Sequence, residues 1–208
     1  MESERQRALL DLLKEVANIG TGFAATALSQ FINRQVKMTV PTARVLLPSE
    51  LPKQLGGEDT HVAAVYAPLN GEVQGGIFFV TALNEAKGLA DLLLDLYAHG
   101  SAKIPEDPLS VSAFQEVANI VIGAYLSSLA DLTALMVAPQ VTALTFDMAG
   151  AVLAEGTLLM AEEDEVILIE TVMALEGRKQ TVQGFLLLLP DRASLLRIEA
   201  SLKGQRDG

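Results

Sequence analysis

The sequence predicts an α+β fold in which two similar halves build one mostly antiparallel sheet of about six strands, covered by helices, with an approximate two-fold axis. Three observations predict it. The pentapeptide Glu-Val-Ala-Asn-Ile occurs at 15–19 and again at 116–120, each time inside a long helical pattern. The tripeptide Val-Gln-Gly occurs at 73–75 and at 182–184, in apolar segments. The order helix, strand, short helix, hairpin, helix therefore recurs in halves 1–100 and 108–203 of one domain, 1–208.

Hydrophobic periodicity and capping residues define the elements of the first half. A long helix is predicted over 3–33 with Ser3 as its cap, followed by β-branched character over 36–47 and a strand that begins at Pro41. Ser49 caps a short helix that ends at the glycines 56–57. Strands over 62–68 and 73–81 enclose the turn 69–71, and Asn84 caps a helix that runs to about residue 99.

The second half repeats this order after a linker at 100–108. A long helix is predicted over 109–131, a strand over 139–146 that begins at Pro139, and a short helix through about residue 161 with Asp147 as its cap. Strands over 166–173 and 182–189 are joined by a polar turn at 176–179, and Asp191 caps the last helix, to about residue 202. The apolar runs 77–80 and 185–189 are typical of strands buried on both faces.

Each repeated pentapeptide lies on a narrow polar stripe of its helix. At about 100° per residue, four stripe positions fall within roughly 60° of one another, and the opposite face is apolar. The stripes are Asp11, Glu15, Asn18 and Gly22 in the first helix and Ser112, Glu116, Asn119 and Gly123 in the second. An ordinary solvent-exposed face is an alternative explanation for one such stripe, and an old duplication is an alternative explanation for the similarity between the halves. Asn costs up to ~0.7 kcal/mol relative to Ala inside a helix. Its recurrence at the same spacing from Glu in both helices therefore indicates a functional role.

Composition excludes several classes of function. The net charge of −11 argues against binding nucleic acid or an anionic membrane. The absence of cysteine excludes disulfides and thiolate sites, and the spacing of His61 and His99 does not fit a metal site. The acidic run 162–165 is interpreted as a solvated turn. No signal peptide or apolar run of ~20 residues is visible, so we expect a cytoplasmic protein with no membrane insertion and no metal of its own.

The two stripes resemble the signature of the CheC/CheX/FliY phosphatases of bacterial and archaeal chemotaxis. That signature is Asp or Ser, three residues, Glu, two residues, Asn, a gap and then Pro. The two copies are Asp11, Glu15, Asn18 and Pro41, and Ser112, Glu116, Asn119 and, after a shorter gap, Pro139. The resemblance covers nearly the whole chain, including 147–151 and 184–202. The chain's length and its two copies are typical of the CheC branch.

The resemblance implies hydrolysis of the aspartyl phosphate on the response regulator CheY. It implies that Asn18 and Asn119 orient the attacking water and that Glu15 and Glu116 pair with the regulator's active-site lysine. Mg²⁺ would belong to the regulator, so no cofactor is expected in this chain. The receptor deamidase CheD is implied as a second partner, and an internally duplicated fold is expected to be a monomer.

Several roles stay open at this point. Asp11 and Ser112 either contact the partner or cap and solvate their helices. Gly22 and Gly123 either admit a partner loop or allow helix packing, and the two prolines are interpreted as structural. The alternative function is a non-catalytic adaptor that binds and regulates CheD, or a flagellar-switch binding module. The two Glu–Asn pairs favour the enzyme.

Overall fold

The computed structural model describes residues 2–94, 101–158, 165–175 and 181–206. The α-helices are α1 (Glu2–Ile32), α2 (Leu51–Gln54), α3 (Leu83–Leu94), α4 (Pro108–Thr133), α5 (Ala149–Gly156) and α6 (Arg192–Arg206). The strands are β1 (Val36–Thr39), β2 (Ala43–Leu46), β3 (His61–Gly71), β4 (Gly75–Ala82), β5 (Val137–Pro139), β6 (Ala143–Met148), β7 (Val166–Leu175) and β8 (Thr181–Pro190). A 3-10 turn over Pro48–Glu50 precedes α2.

The strands of the described chain form one sheet in the order β1–β7–β8–β4–β3–β5. Strand β2 also lies beside β7, and β6 also lies beside β3, so the sheet is six strand positions wide. All of its pairings are antiparallel. The predicted α+β class and antiparallel sheet are confirmed.

The pairing exchanges strands between the two halves of the chain. Strands β1 and β2, which follow α1, lie on β7 of the second half. Strands β5 and β6, which follow α4, lie on β3 of the first half. The β3–β4 and β7–β8 hairpins meet at the centre, where Phe79 of β4 pairs with Leu186 of β8. Neither half therefore completes its part of the sheet without the other.

Helices cover both faces of the sheet, because successive strand residues point to opposite faces. On one face α1, α3, α4 and α6 enclose the larger core, which includes Leu13, Phe79 and Phe114. On the other face α2 and α5 enclose a smaller core that includes Leu51 and Phe78. The runs 77–80 and 185–189 contribute to both cores, as predicted. Each large apolar side chain buried in this way contributes about 1.5–3 kcal/mol.

The hairpin of the first half turns later than predicted. Strand β3 continues through Asn70 and Gly71, and the turn occupies 72–74. The reason is tertiary, since β5 pairs Val137 with Gly71 and Ala138 with Asn70 and so extends the strand past a local turn signal. Gly71 is needed there, because its φ is +113° and a Cβ would lie 2.4 Å from the carbonyl oxygen of Met136.

Both prolines lie elsewhere than at the start of a strand. Pro41 lies in the bend between β1 and β2, and Pro139 is the last residue of β5. Each bend follows a short strand and precedes a strand that begins with Ala, at Ala43 and Ala143. Ala43 pairs with Ile169 of the larger core, and in the second half it is Leu144 that pairs with a larger-core residue, Val65. Leu144 is therefore the counterpart of Ala43, and the bend residue that corresponds to Pro41 is Thr142.

Most of the predicted helix ends shift by a few residues. The helices begin before Ser3 and Asn84, Ser49 lies in the 3-10 turn, and Asp147 is still in β6, so those four caps are wrong. Asp191 is confirmed, since its Oδ1 accepts the backbone N–H of Ser194 at 2.7 Å. The predicted linker contributes buried Ala102 and Ile104 to the core. The predictions for 95–100, 159–164 and 176–180 lie outside the described residues.

Helix α4 is long and apolar enough to cross a membrane by length and composition alone. Its apolar residues are used in the core, however, where Phe114, Val117, Val121 and Tyr125 are buried. The hydropathy of α4 is therefore that of a core helix with one exposed polar stripe.

Candidate functional site

Helices α1 and α4 pack against each other through faces that lie away from their polar stripes. A Cβ at Gly20 would lie 3.0 Å from the Tyr125 ring and 3.0 Å from Ser128 Oγ. The Ser128 hydroxyl donates to the carbonyl oxygen of Val16, 2.9 Å away on the other helix. Glycine and a small hydroxyl side chain thus allow the two helices to cross closely. Because both helices pack on the same core, this crossing fixes the position of each stripe relative to the other.

A buried hydroxyl pair also joins these helices. Thr21 Oγ1 donates to the carbonyl oxygen of Ala17 at 2.6 Å and lies 2.7 Å from the phenol oxygen of Tyr125, where either hydroxyl can be the donor. Burial raises the pKa of Tyr125 to about 12, although the hydrogen bond with Thr21 acts in the opposite direction. The phenol is therefore neutral at physiological pH.

The N-terminus of α4 is held by a carboxylate cap. Asp107 Oδ2 accepts the backbone N–H of Ser110 at 2.9 Å and its hydroxyl at 2.6 Å. These bonds hold the pKa of Asp107 below its usual value. Satisfying the free N–H groups at a helix start stabilises the turn that leads to Ser112 and Glu116.

The predicted stripe residues face outward. Asp11, Glu15, Asn18 and Gly22 are exposed on α1, Ser112 and Glu116 are exposed on α4, and Asn119 and Gly123 are half-buried. Beside them, Leu13, Val16, Phe114 and Val117 are buried in the larger core. The burial of these residues agrees with the amphipathic interpretation of both helices.

The two stripe glycines have open space beside them. A Cβ built at Gly22 or at Gly123 meets no atom within 4 Å. Gly20, only two residues away, is in tight contact with α4. Helix packing therefore explains Gly20, whereas no contact within the described residues explains the stripe glycines.

Asn18 lies in a cleft of about 370 Å³ between α1 and the β1–β2 bend. Of the four motif residues, Asn18 and Pro41 line this cleft together, whereas Asp11 and Glu15 lie on the exposed stripe outside its lining. The cleft is lined by Lys14, Asn18, Val40, Pro41, Thr42, Ala43 and Arg44. Thr42 Oγ1 is shielded from solvent and has no hydrogen-bond partner among the described residues.

The corresponding region beside α4 differs in detail. Asn119 Oδ1 is shielded from solvent and has no hydrogen-bond partner in the described part of the chain. Gln115, four residues before Asn119, donates from Nε2 to Thr142 Oγ1 at 3.2 Å and so joins the helix to the β5–β6 bend. Pro139 pairs with Leu69 at the end of β5. The second motif therefore has Thr142 rather than proline at the corresponding position of the bend.

Sequence reasoning missed four residues beside the two Asn side chains, Lys14, Thr42, Gln115 and Thr142. The sequence offered no signal for the two threonines, because the dipeptide Thr-Ala at 42–43 and 142–143 also occurs at 26–27, 81–82 and 133–134. Lys14 and Gln115 each lie four residues before an Asn and hence one turn away on the same side of the helix.

The arrangement is suited to orienting a polar ligand rather than to metal or nucleophilic chemistry. An amide offers both a donor and an acceptor, and the neighbouring carboxylates are exposed. Within residues 2–94, 101–158, 165–175 and 181–206, no group of three His, Asp or Glu side chains could hold a metal ion. The acidic run interpreted as a turn lies largely outside the described residues.

A larger cavity of about 870 Å³ lies on the other face of the sheet, between α5, the central strands and the start of α6. Tyr66 and Phe78, with ring centroids 4.6 Å apart, are in its lining. Its lining includes none of the stripe residues. The larger of these two cavities is therefore not the one that Asn18 lines.

Comparisons with known proteins identify relatives of this chain. The model of the CheC-like family matches residues 10–44, the segment that runs from the first stripe to the far wall of its cleft. The chain is 34% identical over 194 residues to the CheY-P phosphatase CheC of Bacillus subtilis, and 93% of each protein is covered.

Solved structures share the fold at lower sequence identity. FliY of Thermotoga maritima superposes with a TM-score of 0.76 at 18% identity, over 94% of this chain and 96% of that one. The middle domain of FliM from Vibrio alginolyticus superposes with a TM-score of 0.62 at 9% identity, over 92% and 99% of the two chains. These structures support the fold.

Proposed function

The chain belongs to the CheC-like family, and on that premise we propose that it is a chemotaxis phosphatase that hydrolyses the aspartyl phosphate of a CheY-type response regulator. The observation that carries the proposal is the 34% identity, over nearly the whole chain, to a CheY-P phosphatase. That relationship supports phosphatase activity in general. The regulator as substrate and the two Glu–Asn pairs as sites are the finer parts of the proposal.

Asn18 and Asn119 orient the water that attacks phosphorus. An acyl phosphate is already an activated group, so a catalyst gains most by positioning water in line with the leaving oxygen. An amide accepts a hydrogen bond from that water and donates to a phosphoryl oxygen without adding negative charge. The Oδ1 of Asn119 has no hydrogen-bond partner among the described residues, so this acceptor is not committed to another contact within them.

Glu15 and Glu116 fix the position of the docked regulator. Each lies three residues before its Asn, on the same side of the helix, and each is exposed. A carboxylate in this place pairs with a lysine of the regulator and so sets the register in which the amide meets the phosphoryl group. Mg²⁺ remains with the regulator in this mechanism, and the open space beside Gly22 and Gly123 admits the partner.

The test is the decay of a phosphorylated CheY-type regulator in the presence of Mg²⁺, with and without the protein. Four forms are compared, namely wild type, Asn18→Ala, Asn119→Ala and the double variant. We expect wild type to accelerate the loss of phosphate and the double variant to lose at least about tenfold of that acceleration. Lys53→Ala is the control, because Lys53 is exposed on α2, which packs on the other face of the sheet.

Two outcomes would contradict parts of the proposal. A double variant as active as wild type would show that the two Asn residues are not required for catalysis. A wild type that leaves the decay unchanged, even with CheD added, would reject the enzyme in favour of the adaptor or switch module. Circular dichroism of each variant excludes unfolding as the cause of a lost rate.

A further inference from the structure

We infer that Gln115 and Thr142 hold the second phosphatase site closed, so that this site has to open before Asn119 can act, whereas the first site is open. This inference rests on the proposed function, because it concerns the access of water and of the phosphoryl group to Asn119. It assigns a role to two residues outside the Glu–Asn motif, and it predicts that the loss of their contact improves the second site.

The two Asn side chains differ in exposure. Asn18 is exposed and lines the cleft of about 370 Å³. Asn119 is half-buried, and its Oδ1 is shielded from solvent without a hydrogen-bond partner among the described residues. In the proposed mechanism the amide oxygen accepts a hydrogen bond from the attacking water, so water has to reach this atom. A shielded Oδ1 is out of its reach, and the second site therefore has to open before it acts.

A hydrogen bond joins the helix of the second site to the neighbouring bend. Gln115, one turn before Asn119 on the same side of α4, donates from Nε2 to Thr142 Oγ1 at 3.2 Å. Both side chains are half-buried. Thr142 lies in the bend between β5 and β6, so this bond holds the bend against the part of α4 that carries Asn119.

The first site has different residues at both ends of this contact. Lys14 corresponds to Gln115, because each lies four residues before its Asn, and Pro41 corresponds to Thr142. Lys14 is exposed. Proline has neither a side-chain hydroxyl nor a backbone N–H, so Pro41 offers Lys14 no side-chain acceptor. The contact between Gln115 and Thr142 therefore has no equivalent at these two positions of the first site.

A difference in side-chain size acts in the same direction. Ala43 lines the first cleft, and its counterpart Leu144 packs against the larger core, on the sheet face that α4 covers. The larger leucine side chain fills space between bend and helix that alanine leaves open. Leu144 belongs to the core, whereas a single neutral hydrogen bond contributes little net stability. The bond between Gln115 and Thr142 is therefore the part of the closure that a docking regulator can break.

Shape-conserving variants remove this bond from either end. Gln115→Met and Thr142→Val each lack one of its polar atoms, and they are introduced singly and together into the Asn18→Ala protein, in which the second site acts alone. kcat and KM on the phosphorylated regulator are measured separately in the presence of Mg²⁺. Gln54→Met in the same background is the matched control, because Gln54 Oε1 also takes part in a 3.2 Å side-chain hydrogen bond, with Arg44, and α2 packs on the other face of the sheet.

An equilibrium between closed and open forms raises the apparent dissociation constant, and with it KM, by the inverse of the open fraction, while kcat stays the same. Because a neutral hydrogen bond changes such an equilibrium by a factor of about two to ten, we expect each variant to lower KM about two- to tenfold. The double variant should match the single variants, since all three remove the same bond. The control should leave KM unchanged. A lower KM is a gain that local damage to the fold does not produce.

Hydrogen exchange without the regulator gives a readout that does not depend on activity. The backbone N–H of Gln140 donates to the carbonyl oxygen of Pro68 at 2.8 Å, so its exchange requires the bend to move. This N–H should exchange faster in both variants than in the parent Asn18→Ala protein, and at the parent rate in Gln54→Met.

The outcomes separate this inference from the proposed function. Either an unchanged KM or an unchanged exchange rate in both variants overturns this inference while the proposed function stands. A parent Asn18→Ala protein that is inactive, and that stays inactive when the bond is removed, overturns it as well. Wild type without phosphatase activity overturns the proposed function, and this inference with it.

Discussion

Alanine at the stripe glycines should stabilise the protein while it impairs the proposed activity. A Cβ at Gly22 or Gly123 meets no atom within 4 Å, so the substitution introduces no clash inside this chain. Both positions lie in helix interiors, where glycine is among the least favourable residues. A protein that keeps such residues gives up stability, and we attribute this loss to the room that a docked partner needs.

The magnitude follows from helix propensity alone. Replacing Gly by Ala in an exposed helix interior gains about 1 kcal/mol in the free energy of unfolding. For a chain of 208 residues this raises Tm by roughly 2–4 °C per substitution. Gly20→Ala is the matched control, because its Cβ would lie 3.0 Å from both Tyr125 and Ser128. Overpacking of about 1–3 kcal/mol there outweighs the same gain, so we expect a net loss of about 1 kcal/mol.

Urea unfolding gives the first measurement and phosphate release the second. Gly22→Ala, placed in the Asn119→Ala protein so that the first site acts alone, should raise the urea midpoint and lower kcat/KM about tenfold, because a methyl group displaces the docked partner. A lower midpoint for Gly22→Ala would refute the packing argument. A higher midpoint with unchanged kcat/KM would refute the role of the glycine in docking.

Two further predictions concern the helices that carry the sites. Tyr125→Phe removes the hydrogen bond to Thr21 and should cost about 1 kcal/mol in the free energy of unfolding at neutral pH, measured by urea titration. Because the pKa of Tyr125 is raised to about 12 in the folded state, the unfolded chain loses this proton first, so wild-type stability should fall as pH rises from about 10 to 12. The Phe variant should lose this part of the pH dependence, and an unchanged slope would contradict the assignment. Asp107→Ala removes the cap of α4 and should lower Tm at neutral pH. Because the pKa of Asp107 is lowered on folding, that difference should shrink as pH falls through the folded-state pKa, and a constant difference would contradict it.

Local pattern was sufficient for the long helices and the central strands of this fold, but each strand predicted after a long helix, over 36–47 and over 139–146, is a pair of strands in the structure. The 3.6-residue periodicity of α1 and α4 defined both helices and the exposure of their stripes, since an apolar face is buried wherever the helix packs. The apolar runs 77–80 and 185–189 likewise required strands covered on both faces. The recurrence of Glu and Asn at one spacing indicated the site, because a costly residue on an exposed helix face has no local explanation.

Only the tertiary structure decided how those elements meet. Strands β1–β2 and β5–β6 each pair with the hairpin of the other half, a choice that periodicity does not contain because it depends on contacts distant in sequence. The same pairing carries β3 through its expected turn and places the bend of Pro41 opposite Asn18. The contrast between Lys14 and Gln115 acquired its meaning in the same way. Sequence position put each residue one turn from an Asn, but only the packed bends determined that Lys14 lines a cleft with Asn18 and that Gln115 is hydrogen-bonded to Thr142.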